Sequence, residues 1–371
     1  MKKSLLLSFI ALAVVFTVVF TGCNRKPAAV KARQAGGEVT VRLLTDATGI
    51  DDKSFNAAAW RGILEFYGDT WNNTPKRGTL YDVVTAQTQD MYIPNLRQTT
   101  DEGYDLIVTT GFTWADALAE VAKDNPNQKY MIVDVDWLEG ANIMQAAYAE
   151  HEGSYLVGVA AALKAKEDKI ASPKFGFIGG VPDAVIEKFE VGYVQGVLSV
   201  FPNAEVLEYY VNSWGDPAAA KAQANNWYNS GVYAIYSAAG GSGNGTIAQA
   251  KEYRSAGRNV WAIGVDSDQH DEGMYNATDS AVLTSMLKLV ETSLVYALNS
   301  VKNNTYEGET ITFDLAKDGV GYSTTNPALD DFIKAELETI KRKIINGEIK
   351  IAPSLAEAKK QRPGFPDLKG R

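Results

Sequence analysis

One cysteine and two histidines in 371 residues close off several kinds of chemistry. Cys23 alone cannot build a disulfide framework or a cysteine-based metal site. His151 and His270 leave too little for a histidine-rich metal centre or a histidine-dependent triad. Positive charge is scarce as well, with 36 Lys and Arg against 45 Asp and Glu and a net charge of −9. No basic stripe is there to neutralise phosphates, so no nucleic-acid partner is expected. Beyond residue 20, no apolar run is long enough to cross a bilayer.

What the chain does have begins at its N-terminus. Lys2 and Lys3 precede an almost wholly apolar segment, residues 4–20, followed by Thr21, Gly22 and Cys23. A basic start, an apolar run and small residues form a secretory signal. Phe20-Thr21-Gly22-Cys23 resembles a bacterial lipobox, with Phe20 where Leu is usual. The resemblance implies that residues 1–22 are a removed lipoprotein signal peptide and that Cys23 is acylated. Lipid chains, at about 0.8 kcal/mol per buried CH2, would hold a soluble body at a membrane. Residues 23–38 then read as the lipidated Cys and a flexible tether, with mixed charge, Ala, Pro and Gly-Gly and no period.

From residue 39 to about 300, apolar strands alternate with amphipathic helices. Strands are expected at 39–45, 79–85, 105–109, 129–133, 142–148, 174–178, 205–211, 232–238, 259–265 and 281–285. The segments between them predict helices, among them 55–67, 92–102, 113–124, 152–166, 183–200, 216–229, 245–256 and 287–302. This alternation predicts α/β architecture with helix-covered parallel sheets. The strands are too many for one tidy sheet, and the length fits about two domains, so two lobes are expected. The tail reads as extended over 311–322, helical over 328–345 and as a short strand over 346–351.

Three strand candidates end in an acid: Asp46 after "VRLLT", Asp134 within "YMIVDVD" and Asp266 closing "VWAIGVD". In open α/β sheets, ligands bind beyond the carboxyl ends of the strands. Singly, such an acid caps a helix or makes a turn. Three from separate parts of the chain point to convergence on one polar ligand. After Asp46, Asp51 and Asp52 sit where acids favour a helix N-terminus, and Phe55 and Asn56 open the helix. The run "YSAAGGSGNGT" (236–246) does not match G-x-G-x-x-G in either register, which argues against a dinucleotide site. Its glycines would still let backbone N–H groups approach a ligand.

The stretch "TDATGIDDKSFNAAAWRG" resembles the signature of the basic membrane protein family of PnrA-like bacterial lipoproteins. The likeness continues in Ile132-Val133-Asp134, "EGSYLVGVAAALKAKE", "AAGGSGNG", "WAIGVDSDQ" and "VLTSMLK", and covers essentially the whole chain after residue 38. It implies a type I periplasmic-binding-protein fold: two Rossmann-like lobes joined by a hinge of three crossovers. These are expected near 148–151, 266–282 and 305–312. Lobe one would be 39–148 plus 282–306, and lobe two 149–266 plus 307–371. It also implies a monomeric, lipid-anchored receptor facing the periplasm or cell exterior, with ABC permease partners and a purine nucleoside ligand. No catalytic residue, metal or cofactor is implied.

By the same resemblance, Asp46 and Asn56 would face polar edges of the base. Phe55 would stack on one face of it, with Tyr236, where the family has Phe, on the other. Asp134, Asp266 and Lys288 would surround the ribose, and Gly240 and Gly241 would bring backbone donors close. The competing functions are a receptor for another small ligand, such as a sugar, on the same fold, a nucleoside hydrolase, and a surface antigen or adhesin.

Overall fold

The structure, a computed structural model, describes residues 37–368. The expected signal peptide, Cys23 and most of the tether lie outside the described residues. Twelve strands form two six-stranded sheets, ordered β11-β5-β4-β3-β1-β2 and β12-β10-β9-β8-β6-β7. The first sheet comprises β1 (Val41–Thr45), β2 (Tyr81–Thr85), β3 (Leu106–Thr110), β4 (Tyr130–Val133), β5 (Ile143–Tyr148) and β11 (Thr310–Phe313). The second comprises β6 (Lys174–Gly179), β7 (Glu205–Tyr210), β8 (Val232–Ala238), β9 (Trp261–Asp266), β10 (Val282–Lys288) and β12 (Val320–Tyr322). Every pairing is parallel except that of β10 with β12. β3, β4, β8 and β9 are buried along their whole length, as parallel strands covered on both faces must be.

Helices α1 (Phe55–Tyr67), α2 (Tyr92–Glu102), α3 (Ala115–Asp124) and α8 (Val290–Lys302) cover the first sheet. Helices α4 (Glu150–Glu167), α5 (Ala184–Val200), α6 (Pro217–Asn229) and α7 (Gly243–Ser255) cover the second, with α9 (Asp331–Ile345) and α10 (Leu355–Gln361) in the tail. α1 buries Trp60, Ile63 and Leu64 and stops at Gly68, whose φ of 69° lets its N–H turn back to the Leu64 and Glu65 carbonyls. α4 and α5 pack backbone to backbone. A Cβ at Gly158 would lie 2.4 Å from the Tyr193 carbonyl oxygen, so glycine is needed there for the close approach.

The lobe boundaries differ from those expected. Residues 282–288, assigned to lobe one, form a central strand of the second sheet, hydrogen-bonded to β9 and β12. Residues 310–313, assigned to lobe two, pair with β5 in the first sheet. The chain passes between sheets at Ala149, at Leu289 and across residues 314–319. The reason is that β10, VLTSMLK, is a buried strand whose local pattern would suit either sheet. Its place is decided by its hydrogen bonds to β9, the strand just before it in the chain, and to β12. Residues 346–351 are not a strand: the chain turns there through Gly347, at φ 73°.

Candidate functional site

The carboxyl ends of both sheets face one cleft. From the first sheet come the β1–α1 loop with Asp46, Thr48, Asp52 and Phe55, the β3 exit with Thr110 to Thr113, and Asp134 after β4. From the second come Phe189 on α5, Trp214 after β7, Ala238 closing β8 and Gly240 after it, Asp266 closing β9, and Lys288 closing β10. About 600 Å³ lies between these walls when the open rim is counted, but the free cavity volume is only about 60 Å³. Ligand sites typically hold about 300–1,000 Å³, so the lobes are shut tightly and must part to admit a ligand.

Asp134 and Asp266 are both held at positive φ, 69° and 62°. Non-glycine residues rarely adopt this conformation, and it clusters at functional sites. The bend turns each carboxylate off its strand and into the cleft. Lys288, 1 % exposed, ion-pairs with Asp134 and, at 3.0 Å, with Glu150. Its ammonium also lies over the rings of Phe55, Tyr148 and Phe189, at 5.2, 4.8 and 5.3 Å from their centroids. Burial works against its charge, but Asp134, Glu150 and Asp266 outweigh that and hold its pKa above the ordinary lysine value. Burial pushes the Asp134 and Asp266 carboxyls up to about 6, with Lys288 pulling the other way. The charged end of the cleft is therefore one coupled cluster, its acids outnumbering its base.

The opposite wall is built by the β1–α1 loop. Asp46 Oδ1 accepts from the Thr48 N–H at 3.1 Å and from Asn56 Nδ2 at 3.0 Å. Asn56 Nδ2 also donates to Thr48, and the Thr110 hydroxyl donates to Asn56 Oδ1. Asn56 is 2 % exposed and both ends of its amide are engaged. It aims Asp46 and Thr110 more than it reads a ligand itself. Asp52 caps α1: its carboxylate accepts from the N–H groups of Ser54, Asn56 and Ala57 at 2.8–3.0 Å. Burial pushes its pKa up to about 6, against those hydrogen bonds. From 3.8 up to about 6, the folded chain holds a proton on Asp52 that the unfolded chain has released. That part of the stability is complete below 3.8 and lost as pH rises through about 6. Asp52→Asn is expected to flatten this stretch of the stability curve, as measured by urea titrations across that range.

Contacts between lobes hold the cleft shut. The Ser54 hydroxyl donates to Asp266 at 2.6 Å, and the Ser267 hydroxyl donates to the Ser54 carbonyl at 2.9 Å. Asn244 Nδ2 donates to the Asp52 carbonyl at 3.1 Å and Gln269 Nε2 to the Lys53 carbonyl at 3.1 Å. Phe112 and Trp214 meet edge to face across the gap, 6.2 Å between centroids.

Of the expected site residues, Asp46, Phe55, Asn56, Asp134, Gly240, Asp266 and Lys288 line the inner cleft, and Gly241 lines its outer part. Tyr236 does not. It is fully buried, with its ring against Phe177 and Tyr193 and its hydroxyl 3.2 Å from that of Ser154. It stops two residues short of Ala238, which reaches the cleft. At about 3.3 Å per residue, that leaves it roughly 7 Å too deep. Sequence reasoning missed Glu150, Phe189 and Trp214. Trp214 carried a signal: an aromatic just past a strand, before a helix capped by Asp216 and opened by Pro217. Phe189 and Glu150 carried none, since one reads as a helix core residue and the other as a first-turn acid.

Two α/β lobes with parallel sheets, three connections and a shut cleft at the strand ends define a solute-binding protein of the type I periplasmic class. Residues 39–354 match the family model described as "ABC transporter substrate-binding protein PnrA-like" (Bmp), and the chain belongs to that family. It is a family of binding proteins, not of enzymes. The "ABC transporter nucleoside-binding protein BmpA" of Lactococcus lactis is 35% identical over 94% of this chain and 99% of its own. The "CD4+ T-cell-stimulating antigen" of Listeria innocua is also 35% identical, over 95% and 99%. "Basic membrane protein A" of Borreliella burgdorferi is 31% identical over 92% and 94%. A solved solute-binding protein of an ABC transporter system from Aeropyrum pernix K1 superposes with a TM-score of 0.74. It shares 25% identity over 87% of this chain and 96% of that one. No helix among the described residues is long and apolar enough to cross a membrane.

Proposed function

We propose that this protein is a lipid-anchored extracytoplasmic receptor that captures purine nucleosides in the cleft and delivers them to ABC permease subunits. The observation that carries the reading is that one cleft is lined by an aromatic ring from each lobe, Phe55 and Trp214, and by a charged end at Asp134, Asp266 and Lys288. A nucleoside has a flat face, a polar edge and a diol. Stacking contributes about 1–3 kcal/mol per base, and ionised carboxylates make the stronger hydrogen bonds to hydroxyls. In this reading Trp214 takes the stacking place first given to Tyr236. Asp46 and Thr110 meet the base edge. Ligand completes the sandwich only when the lobes close, so binding and closure are one equilibrium. The name of the Lactococcus relative points to the same ligand class. Acylation of Cys23 would supply the anchor, and the receptor would act as a monomer.

The test is isothermal titration of residues 24–371, unfolded and refolded to strip carried ligand, with adenosine, guanosine, inosine, cytidine, uridine, ribose and adenine. Tight binding of purine nucleosides with weak binding of ribose and adenine is expected. Binding of ribose alone would move the protein to sugar uptake, and free base appearing on long incubation would mean hydrolysis. Tyr236→Phe is expected to leave nucleoside affinity unchanged while costing about 0.5–1.5 kcal/mol of stability, the worth of one buried hydrogen bond. A large affinity loss in Tyr236→Leu, which removes the ring, would return Tyr236 to the site.

A further inference from the structure

The cleft runs along the strand order of the two sheets. At one end, β4 and β10 deliver Asp134 and Lys288. At the other, the exits of β1 and β2 face those of β6 and β7, and the cleft widens. The outer part is roomier, about 690 Å³ against about 60 Å³ inside, and more open to solvent. The two share Asp46, Thr48, Asp52, Thr113 and Trp214 in their walls, so they adjoin there.

The outer walls are amides and hydroxyls from both lobes: Gln87, Thr88 and Gln89 on one side, Asn212, Ser213 and Asn244 on the other. Asp46, Asp51 and Asp52 also line the chamber, and no Lys or Arg does. Asn244 spends its Nδ2 on the cross-lobe bond to Asp52, while its Oδ1 is buried with no partner among the described residues.

We propose that the outer chamber is a second subsite, which takes neutral or cationic polar substituents on the base edge of a nucleoside and disfavours anionic ones. This rests on the nucleoside reading. With the sugar at Asp134, Asp266 and Lys288 and the base between Phe55 and Trp214, the base edge points to Asp46 and Thr48. That is where the chambers join. A substituent on the exocyclic amine runs from there into the outer chamber. Its N–H groups and a terminal ammonium find acceptors and carboxylates, whereas a terminal carboxylate meets like charge with no cation to offset it.

The experiment is titration calorimetry of the purified protein with adenosine and with two analogues extended on the exocyclic amine, one chain ending in an amine and the other in a carboxylate. The aminoalkyl analogue is expected to bind within about tenfold of adenosine, and the carboxyalkyl analogue about tenfold more weakly than the aminoalkyl one. Asp51→Lys is expected to narrow or invert the ratio between the two analogues. Adenosine binding with both analogues excluded would overturn the subsite while leaving the nucleoside reading intact. Equal affinity for the two analogues would overturn the charge assignment. Silence for adenosine as well would overturn the nucleoside reading and this inference with it.

Discussion

Lys288→Met is expected to destabilise the protein by about 3–5 kcal/mol, the cost of removing one partner from a buried ion pair. Typical total stabilities are about 5–15 kcal/mol, so the loss is a large share. Lys288 is 1 % exposed and touches Asp134 and Glu150 directly, with Asp266 close enough to act through its charge. The rings of Phe55, Tyr148 and Phe189 surround the ammonium and leave little room for water to replace it. Met fills most of the volume but supplies no charge, and Lys188, 3.4 Å from Glu150, serves only one of the acids. Urea unfolding at neutral pH and near pH 5 checks this. The carboxyls of Asp134 and Asp266, already pushed up to about 6, take protons as pH falls. The deficit should therefore shrink on the acid side. An equal deficit at both values would mean the acids keep another counter-charge.

Asp266→Asn is expected to weaken nucleoside binding by about 10- to 150-fold, since a hydrogen bond to a charged group contributes about 1.5–3 kcal/mol. Asn tolerates the left-handed backbone at φ 62°, so the turn should survive. Asp266 also accepts from the Ser54 hydroxyl across the cleft at 2.6 Å, so part of any loss comes from weakened closure. Ser54→Ala isolates that part, because it removes the cross-lobe bond and leaves the carboxylate for the ligand. Titration of both variants separates the two roles. Unchanged affinity in a folded Asp266→Asn variant would mean that this carboxylate serves Ser54 and not the sugar.

The lining of the candidate cleft was legible where a local rule and a ligand rule coincide. Asp46, Asp134 and Asp266 stand at strand exits, which a periodic apolar pattern marks without any tertiary knowledge. Phe55 and Asn56 follow a turn whose acids announce a helix start. Asn56 was found for a partly different reason, since its amide is spent on Asp46, Thr48 and Thr110. Tyr236 failed because a strand pattern gives the face of a side chain but not its depth, and two residues decide between cleft and core. Glu150 and Phe189 lie on helices that meet Lys288 only after both lobes are assembled.

By itself the sequence determined the alternation of strands and helices, the α/β class and the acids at the strand ends, because each depends on neighbours within a few residues. The tertiary structure decided which sheet takes β10 and β11, which aromatic walls the cleft from the second lobe, and that Lys288 is neutralised in the interior. The place of β11 and the charge balance of Lys288 depend on partners more than a hundred positions away, β5 and the acids Asp134 and Glu150, and the place of β10 on its pairing with β9 and β12. Burial sets their energies, and no local pattern records it.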